Sequence, residues 1–294
     1  MKTAHRLARP VLLIALMLAA GCASTAGAPA APRIGVQLWS VKDEIKHDFE
    51  GTLAKLAALG FQGVEFAGEF GRFRHDPAGL RAFLDKHKLA CAGAHVPFEQ
   101  FAPAKFDATT SFYITAGCTD LIVPADSRAG STAGSAELAR DLSALSARLA
   151  PLGMRTGYHN HAQEMTGPDG QSAWDVLARG TPGATILQQD VGWTHAAGKN
   201  PVAFIERYPG RSVSLHIKAK LAKGASGIPI IGQDDADWLA TARAAQGPGG
   251  TRWLIVEQEE YPNGMGQVEA VAASLRGLQA VLVGLRLPER KSGN

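Results

Sequence analysis

The hydrophobic positions of this chain alternate between short apolar runs and longer stretches with helical periodicity. The short runs have the length of buried strands, and the longer stretches repeat apolar residues every three or four positions. The runs that predict strands begin near Ile34, Gly63, Ala90, Asp120, Met154, Ile186, Val213 and Trp253. Eight strand–helix units in this order predict an α/β fold with a parallel sheet, and the count favours a closed (β/α)8 TIM barrel over an open sheet.

The helical stretches carry recognisable start and stop signals. The first helix is expected from about His47 to Leu59, with Gly60 as its stop, and another begins after Asp76 as N-cap with Pro77 in its first turn. Further helices are expected at about 107–116, 133–149, 172–179, 201–208, 237–245 and 268–285. No glycine-rich phosphate loop follows the first strand, which argues against a nucleotide-binding sheet.

The first residues have the pattern of an export signal. Basic residues precede an apolar stretch from Val11 to Ala20, which is too short for a helix across a bilayer. The stretch leads into Cys22 and resembles a lipoprotein signal, so residues 1–22 are interpreted as a signal with Cys22 lipidated. An ordinary secretory signal cleaved nearby is the alternative. Residues 23–32 are expected to form a flexible tether and residues 33–294 the barrel, which predicts an exported, periplasmic protein held to the membrane only by its N-terminal lipid.

Charge and cysteine content narrow the partners and the compartment. The chain has 30 basic and 27 acidic residues, and three of the basic ones lie in the signal, so the mature protein is formally neutral. A nucleic-acid partner is therefore not expected, because phosphate binding requires a basic surface. Besides Cys22 there are two cysteines, Cys91 and Cys118, which either form a disulfide or remain two buried free thiols.

Residues that bind divalent metals follow four consecutive predicted strands. These residues are His159, Asp190, His216 and Glu257. Active sites of (β/α)8 barrels lie at the carboxyl ends of the strands. Each residue alone has an ordinary structural explanation, but imidazole and carboxylate groups on four consecutive strand ends predict a divalent-metal site with open positions for a substrate.

Other polar and aromatic residues at strand ends are candidates for contacting a substrate. Glu65 and His95 end the second and third strands and could bind sugar hydroxyls or orient a ligand, although a salt bridge at the barrel rim would also explain Glu65. Lys218 lies two residues beyond His216, hence on the same inward side, and could stabilise an oxyanion or neutralise nearby carboxylates. Trp39 and Trp193 could stack on a sugar or pack beneath a loop.

The order of these motifs resembles the sugar phosphate isomerase/epimerase superfamily with a xylose-isomerase-like barrel. The matching segments are Gly35-Val36-Gln37-Leu38-Trp39-Ser40-Val41, Gly60-Phe61-Gln62-Gly63-Val64-Glu65, Tyr158-His159-Asn160-His161, Asp190-Val191-Gly192-Trp193, His216-Ile217-Lys218 and Val256-Glu257. The resemblance implies a Mn, Mg, Zn or Co ion on Asp190, His216 and Glu257. Many members have a glutamate where this chain has His159, which matches a branch with the Tyr-His-Asn-His motif. That branch commonly has an acidic residue where this chain has Ala219.

The function implied is proton abstraction next to the carbonyl of a sugar or polyol, with His161 or Glu164 as the base. Reprotonation at the other carbon or face would make the enzyme an isomerase or epimerase of a neutral sugar, here an expected small-molecule substrate. Loss of a β-substituent would instead make it a lyase or dehydratase of keto-glycosides or inososes. A non-catalytic carbohydrate-binding lipoprotein is the alternative from another class.

Overall fold

The computed structural model of the protein describes residues 31–286, in which eight parallel strands form a barrel. Consecutive strands pair in chain order, and β1 pairs with β8, which closes the sheet. The strands are Arg33–Gln37 (β1), Gly63–Phe66 (β2), Ala90–His95 (β3), Asp120–Val123 (β4), Arg155–His159 (β5), Ile186–Asp190 (β6), Ser214–Ile217 (β7) and Trp253–Val256 (β8). This confirms the (β/α)8 prediction. The predicted signal, Cys22 and most of the predicted tether lie outside the described residues.

Helices cover the outside of the barrel. They are Lys42–His47 (α1), Phe49–Leu59 (α2), Pro77–Lys86 (α3), Phe106–Ala116 (α4), Thr132–Leu149 (α5), Ala173–Gly180 (α6), Val191–Ala196 (α7), Pro201–Arg207 (α8), Trp238–Gln246 (α9) and Gln267–Arg286 (α10). The predicted N-cap Asp76 accepts a hydrogen bond from the Gly79 amide, and Gly60 ends α2 in the left-handed conformation. Two short helices were not predicted, α1, which a break at Asp48 separates from α2, and α7.

The break before α2 follows from the backbone and side chain of Asp48. Its φ of −146° interrupts the helix, and its carboxylate accepts a hydrogen bond from the Gly51 amide. An aspartate that caps a new helix cannot also continue the preceding one. Asp190 has the same capping role for α7, because its carboxylate accepts a hydrogen bond from the Trp193 amide.

The strands separate an apolar layer outside the barrel from an interior that is apolar towards one end and polar towards the other. Outward residues such as Val64 and Leu121 pack with helix residues such as Leu142 in the main core. Inside the barrel, Trp253 and Ile255 form a small apolar cluster with Ala92 at the amino-terminal end. Polar residues follow towards the carboxyl ends, and Gln37, Glu65, Gln188, Ser214 and His216 are all buried. The interior is therefore a packed core with a polar upper layer.

The structure resolves the pairing of the two cysteines, which the sequence left open. Cys91 and Cys118 form a disulfide, which joins β3 to the segment that enters β4. In the described part of the chain, α10 is the helix whose length and composition would suit a membrane span. It buries Val271, Leu275 and Leu278 against the barrel, so α10 is a packing helix of this fold.

Candidate metal centre and substrate cavity

The four predicted metal ligands converge at the carboxyl end of the barrel. One nitrogen or oxygen atom from each of His159, Asp190, His216 and Glu257 lies within 4.8 Å of the others. The Nε2 atom of His159 is 3.1 Å from Nδ1 of His216 and 3.5 Å from Oδ2 of Asp190. Oε2 of Glu257 lies 2.8 Å from Nδ1 of His216. The structure thus brings together residues that are almost one hundred positions apart.

Strand alternation and one close backbone contact place these side chains. His159 ends β5 and is buried inside the barrel, whereas Tyr158 packs into the outer core. The short helix α7 lies so close to the end of β7 that a Cβ atom at Gly192 would collide with the backbone carbonyl of Lys218. Only glycine permits this approach, and it brings the end of β6 close to the end of β7.

Asp190 is held so that one carboxylate oxygen faces the cluster. Its backbone amide donates to Oδ1 of Asn160, and its own Oδ1 accepts from the Trp193 amide. Its other oxygen, Oδ2, is buried and accepts no hydrogen bond from the described residues. Oδ2 lies 3.2 Å from Nζ of Lys218 and 3.5 Å from Nε2 of His159, a position suited to a cation.

Glu65 lies beside His216, which corresponds to the second of its two expected roles, orienting a ligand. Its Oε2 atom is 2.6 Å from Nε2 of His216, on the ring edge opposite Glu257. Gln37 and Gln188 each donate a hydrogen bond of 2.6 Å to the Glu65 carboxylate. Glu65 therefore orients the His216 ring and leaves Nδ1 directed at the cluster, an arrangement typical of metal-binding histidines.

The donor set fits a divalent ion. Two imidazole nitrogens and two carboxylate oxygens suit Zn, Mn or Co. Oδ2 of Asp190 accepts no hydrogen bond from the described residues and already lies beside the Lys218 ammonium, so positive charge is stabilised there. His159 differs from His216 in its surroundings, since its Nδ1 atom has no partner among the described residues. The cluster is therefore a candidate metal centre with its orienting partner on His216 rather than on His159.

The electrostatics of the site follow from burial and close opposite charges. Burial alone would lower the pKa of His216, but Glu65 and Glu257 outweigh it and raise this pKa to about 10. Burial opposes ionisation of Glu65, yet the charges of His95 and His216 and its hydrogen bonds bring its pKa down to about 2. Burial, aided by the positive His216, lowers the pKa of His159 to about 3. Without an ion, the cluster thus pairs ionised carboxylates with a protonated His216.

Lys218 lies between three carboxylates at the mouth of the cluster. Its Nζ atom is 3.2 Å from Asp190, 3.0 Å from Glu257 and 2.6 Å from Glu259. Burial would lower the pKa of Lys218, but the charges of these carboxylates raise it. Glu259 was missed in the sequence, although it lies two residues beyond Glu257 and the same alternation could have identified it.

A cavity of about 310 Å³ opens beside the cluster. Its lining includes three of the predicted site residues outside the ligand set, namely Trp39, His95 and His161. His95 lies between the cluster and the cavity, because its Nε2 atom is 2.7 Å from Oε1 of Gln188 and its ring stacks on that of His216. Trp39 is 45% exposed at the cavity mouth. The cavity is large enough for a small ligand.

His161 and Glu164 follow β5 but have different surroundings. His161 lines the cavity, and its Nδ1 atom has no hydrogen-bond partner among the described residues. Glu164 is buried, and its carboxylate accepts hydrogen bonds from the Tyr158 hydroxyl and the His161 amide. The structure therefore brings His161 to the cavity and packs Glu164 behind the loop that carries it.

Trp193 packs against Lys218 and Lys220 and is not among the residues that line the cavity. Nζ of Lys220 lies 4.0 Å from its ring centroid, and Nζ of Lys218 lies 5.2 Å from it. Its ring centroid is 5.8 Å from that of His161. This corresponds to the second of the two arrangements considered for Trp193, in which the ring packs beneath loop residues.

Comparison with solved structures identifies the fold. A sugar phosphate isomerase/epimerase from Parabacteroides distasonis ATCC 8503 has 22% sequence identity and a TM-score of 0.69 over 86% of this chain and 98% of that chain. The IOLI protein with a bound zinc atom has 13% identity and a TM-score of 0.65 over 86% and 99%. An L-ribulose 3-epimerase has 14% identity and a TM-score of 0.64 over 90% and 100%.

No protein-family model and no curated protein matches this sequence. The similar solved structures include xylose-isomerase-like sugar phosphate isomerase/epimerase barrels. At these identities the likeness concerns the fold. The chain folds as a closed (β/α)8 barrel of the xylose-isomerase-like type, with a possible metal site at the carboxyl ends of its strands.

Proposed function

We propose that the protein is a metal-dependent isomerase or epimerase that removes a proton next to the carbonyl of a neutral sugar or polyol. The observation that carries this proposal is the convergence of His159, Asp190, His216 and Glu257 beside a cavity of about 310 Å³. A divalent ion held by these residues would polarise the carbonyl and stabilise the negative charge that develops on it. The similar folds of a sugar phosphate isomerase/epimerase and an L-ribulose 3-epimerase support this class of reaction.

His161 is the proposed base. It lines the cavity, and its side chain is half-buried there. Glu164 was the other candidate, but its carboxylate is already engaged by the Tyr158 hydroxyl and the His161 amide. We therefore assign Glu164 to positioning the loop that carries His161. Geometry is the first criterion for a general base, because the group must reach the proton that it removes.

Lys218 and the pocket residues complete the proposed machinery. The Lys218 ammonium group lies near Asp190, Glu257 and Glu259 and would offset charge as a substrate oxygen becomes negative. His95 and Trp39 line the cavity and would contact the sugar through a hydrogen bond and an aromatic face, respectively. Glu65 would hold His216 in its ligand orientation.

A neutral sugar fits the charge of the cavity better than a sugar phosphate. Glu257 and Glu259 both contribute to its lining, and carboxylates repel a phosphate. We also propose that the protein works outside the cytoplasm, lipid-anchored through Cys22. The export pattern of residues 1–22 and the Cys91–Cys118 disulfide support this location, since such bonds persist in oxidising compartments.

Proton NMR in heavy water tests the proposed reaction. The Mn-loaded protein would be incubated with ketoses, inososes and keto-glycosides, and deuterium would be expected at the carbon next to the carbonyl. Asp190→Asn should bind the metal at least tenfold more weakly and lose the exchange, because it removes one anionic ligand. Exchange coupled to release of water or an alcohol would indicate a lyase. Metal and sugar binding without exchange would favour a carbohydrate-binding protein and contradict the proposal.

A further inference from the structure

A second cavity adjoins the one beside the metal cluster. It has a volume of about 410 Å³ and lies over the carboxyl ends of β2 and β3, against α4. The two cavities share Gly68, His95 and Pro97 in their linings. The His95 ring therefore stacks on His216 of the metal cluster, and His95 also lines the second cavity. The shared residues make the second cavity a continuation of the proposed substrate site.

Gly68, which has no side chain, lies at the boundary between the two cavities. Gly68 adopts a φ of +87°, and no atom outside its immediate neighbours lies within 4 Å of the place where a Cβ would be. A glycine is favoured in this left-handed conformation, and its lack of a side chain leaves the passage open. Gly68 therefore places no side chain between the two cavities that it lines.

The second cavity differs in chemistry from the first. The rings of Phe70, Phe112 and Tyr113 line one wall, and the polar side chains of Arg74, Gln100 and Thr109 also contribute to the lining. The Phe70 centroid is 4.8 Å from that of Phe112 and 6.1 Å from that of Tyr113. Phe70 and Tyr113 are buried, so these rings are fixed by packing rather than free to move aside. Planar aromatic walls stack well on planar apolar groups, whereas the histidines and carboxylates of the first cavity suit hydroxyl and carbonyl oxygens.

We propose that the substrate is a keto-sugar that carries a planar apolar substituent, with the sugar beside the metal cluster and the substituent in the second cavity, against the wall formed by Phe70, Phe112 and Tyr113. This inference rests on the proposed function for the location of the sugar. A monosaccharide without a substituent would occupy the first cavity and leave the aromatic one to water. An aryl glycoside fills both, because its glycosidic bond crosses at Gly68 and Pro97.

Calorimetric binding to the metal-loaded protein tests this arrangement with the phenyl and methyl glycosides of the same keto-sugar. Burial of one phenyl ring predicts that the phenyl glycoside binds about 10- to 100-fold more tightly. Ala108 is exposed on α4 and lines the aromatic cavity. Ala108→Trp should fill the cavity and reduce the preference to about twofold or less. Ala58→Trp, at an exposed alanine of α2, is the matched control and should keep the preference.

A second variant guards against a tryptophan that turns away from the cavity. Phe112→Ala removes one wall and should reduce the phenyl preference by about fivefold or more. Equal affinity of the wild type for the two glycosides, or a preference that survives both variants, would overturn the inference. A phenyl preference without deuterium exchange would retain the aromatic subsite and refute the proposed reaction. Deuterium exchange at equal rates, with equal affinities for the two glycosides, would support the proposed reaction and refute the aromatic subsite.

Discussion

At the scale of single residues, His216 shows what a local pattern can and cannot predict. A histidine at the end of a buried strand predicted a metal ligand here only together with the candidate ligands at three other strand ends. The carboxylates on its two ring nitrogens come from Glu65 and Glu257, which are 151 and 41 residues away in sequence. The sequence left open whether Glu65 binds a sugar hydroxyl or orients a ligand, and in the structure it holds His216. The role depends on which side chain it meets across the barrel, and alternation gives only the face.

Asp234 provides a prediction for a carboxylate outside the metal cluster. Its Oδ1 atom accepts a hydrogen bond from the Trp238 indole, and Oδ2 is buried without a described hydrogen-bond partner. Burial raises the pKa of Asp234 from its ordinary value of 3.8 to about 6. Because the folded state binds this proton more tightly than the unfolded state does, the contribution of Asp234 to stability falls as the pH rises from about 4 to 6.

The substitution Asp234→Asn removes this charge and should raise Tm by about 1–3 °C at pH 7.5. The difference from the wild type should disappear near pH 4, where both side chains are neutral. Thermal unfolding across this pH range measures the effect. Asp107→Asn, at an exposed carboxylate of α4, should show no such pH-dependent difference. A constant offset at every pH would mean that ionisation of Asp234 is not responsible.

At the scale of elements, the sequence predicted the helices of seven residues or more and missed the two six-residue helices, α1 and α7. The helix α5 spans Thr132–Leu149, within a residue of the expected start, because its leucines recur at helical spacing over several turns. The six-residue helix α7 has too few positions to show a period. Its existence depends on the Asp190 cap and on the close approach of Gly192 to β7, which are contacts of the folded barrel.

The loop after β5 yields a prediction about Glu164. Glu164→Ala removes the acceptor for the Tyr158 hydroxyl and the His161 amide. Leaving these donors without a partner should lower the free energy of unfolding by about 1–3 kcal/mol, measured by urea unfolding. Since Glu164 is assigned to positioning, Glu164→Gln, which keeps an acceptor oxygen, should retain deuterium exchange within about tenfold of the wild type.

His161→Gln provides the contrast, because it removes the proposed base itself. The exchange rate should then fall by about 100-fold or more, the usual contribution of a general base. Stability should change little, since the hydrogen bond to Glu164 comes from the His161 backbone. If Glu164→Gln abolished exchange while His161→Gln preserved it, the two assignments would have to be exchanged.

At the scale of the whole molecule, closure of the barrel decides which segments are neighbours. The first strand pairs with the last, and the Cys91–Cys118 disulfide links two adjacent strand units across 27 residues. Loop-closure entropy predicts that this bond contributes about 3–4 kcal/mol to stability. The double substitution Cys91→Ala and Cys118→Ala should therefore lower the free energy of unfolding by that amount, measured in urea.

A reducing agent serves as the control for the disulfide prediction. It should destabilise the wild-type protein by a similar amount and leave the double variant unchanged. If the reductant had no effect on the wild type while the double variant was destabilised, cavities left by the two sulfur atoms would account for the loss instead.

The sequence by itself determined the repeating units, the strand count and the strand-end residues, because each of these depends on spacing along the chain. Alternation along β5 also gave the inward direction of His159. Tertiary structure decided the partners: Glu65 behind His216, Glu259 beside Lys218, Glu164 behind the His161 loop, and the disulfide. It also created the aromatic cavity that adjoins the cluster. These features depend on distances between segments far apart in sequence, and those distances are fixed only when the barrel closes and its side chains pack.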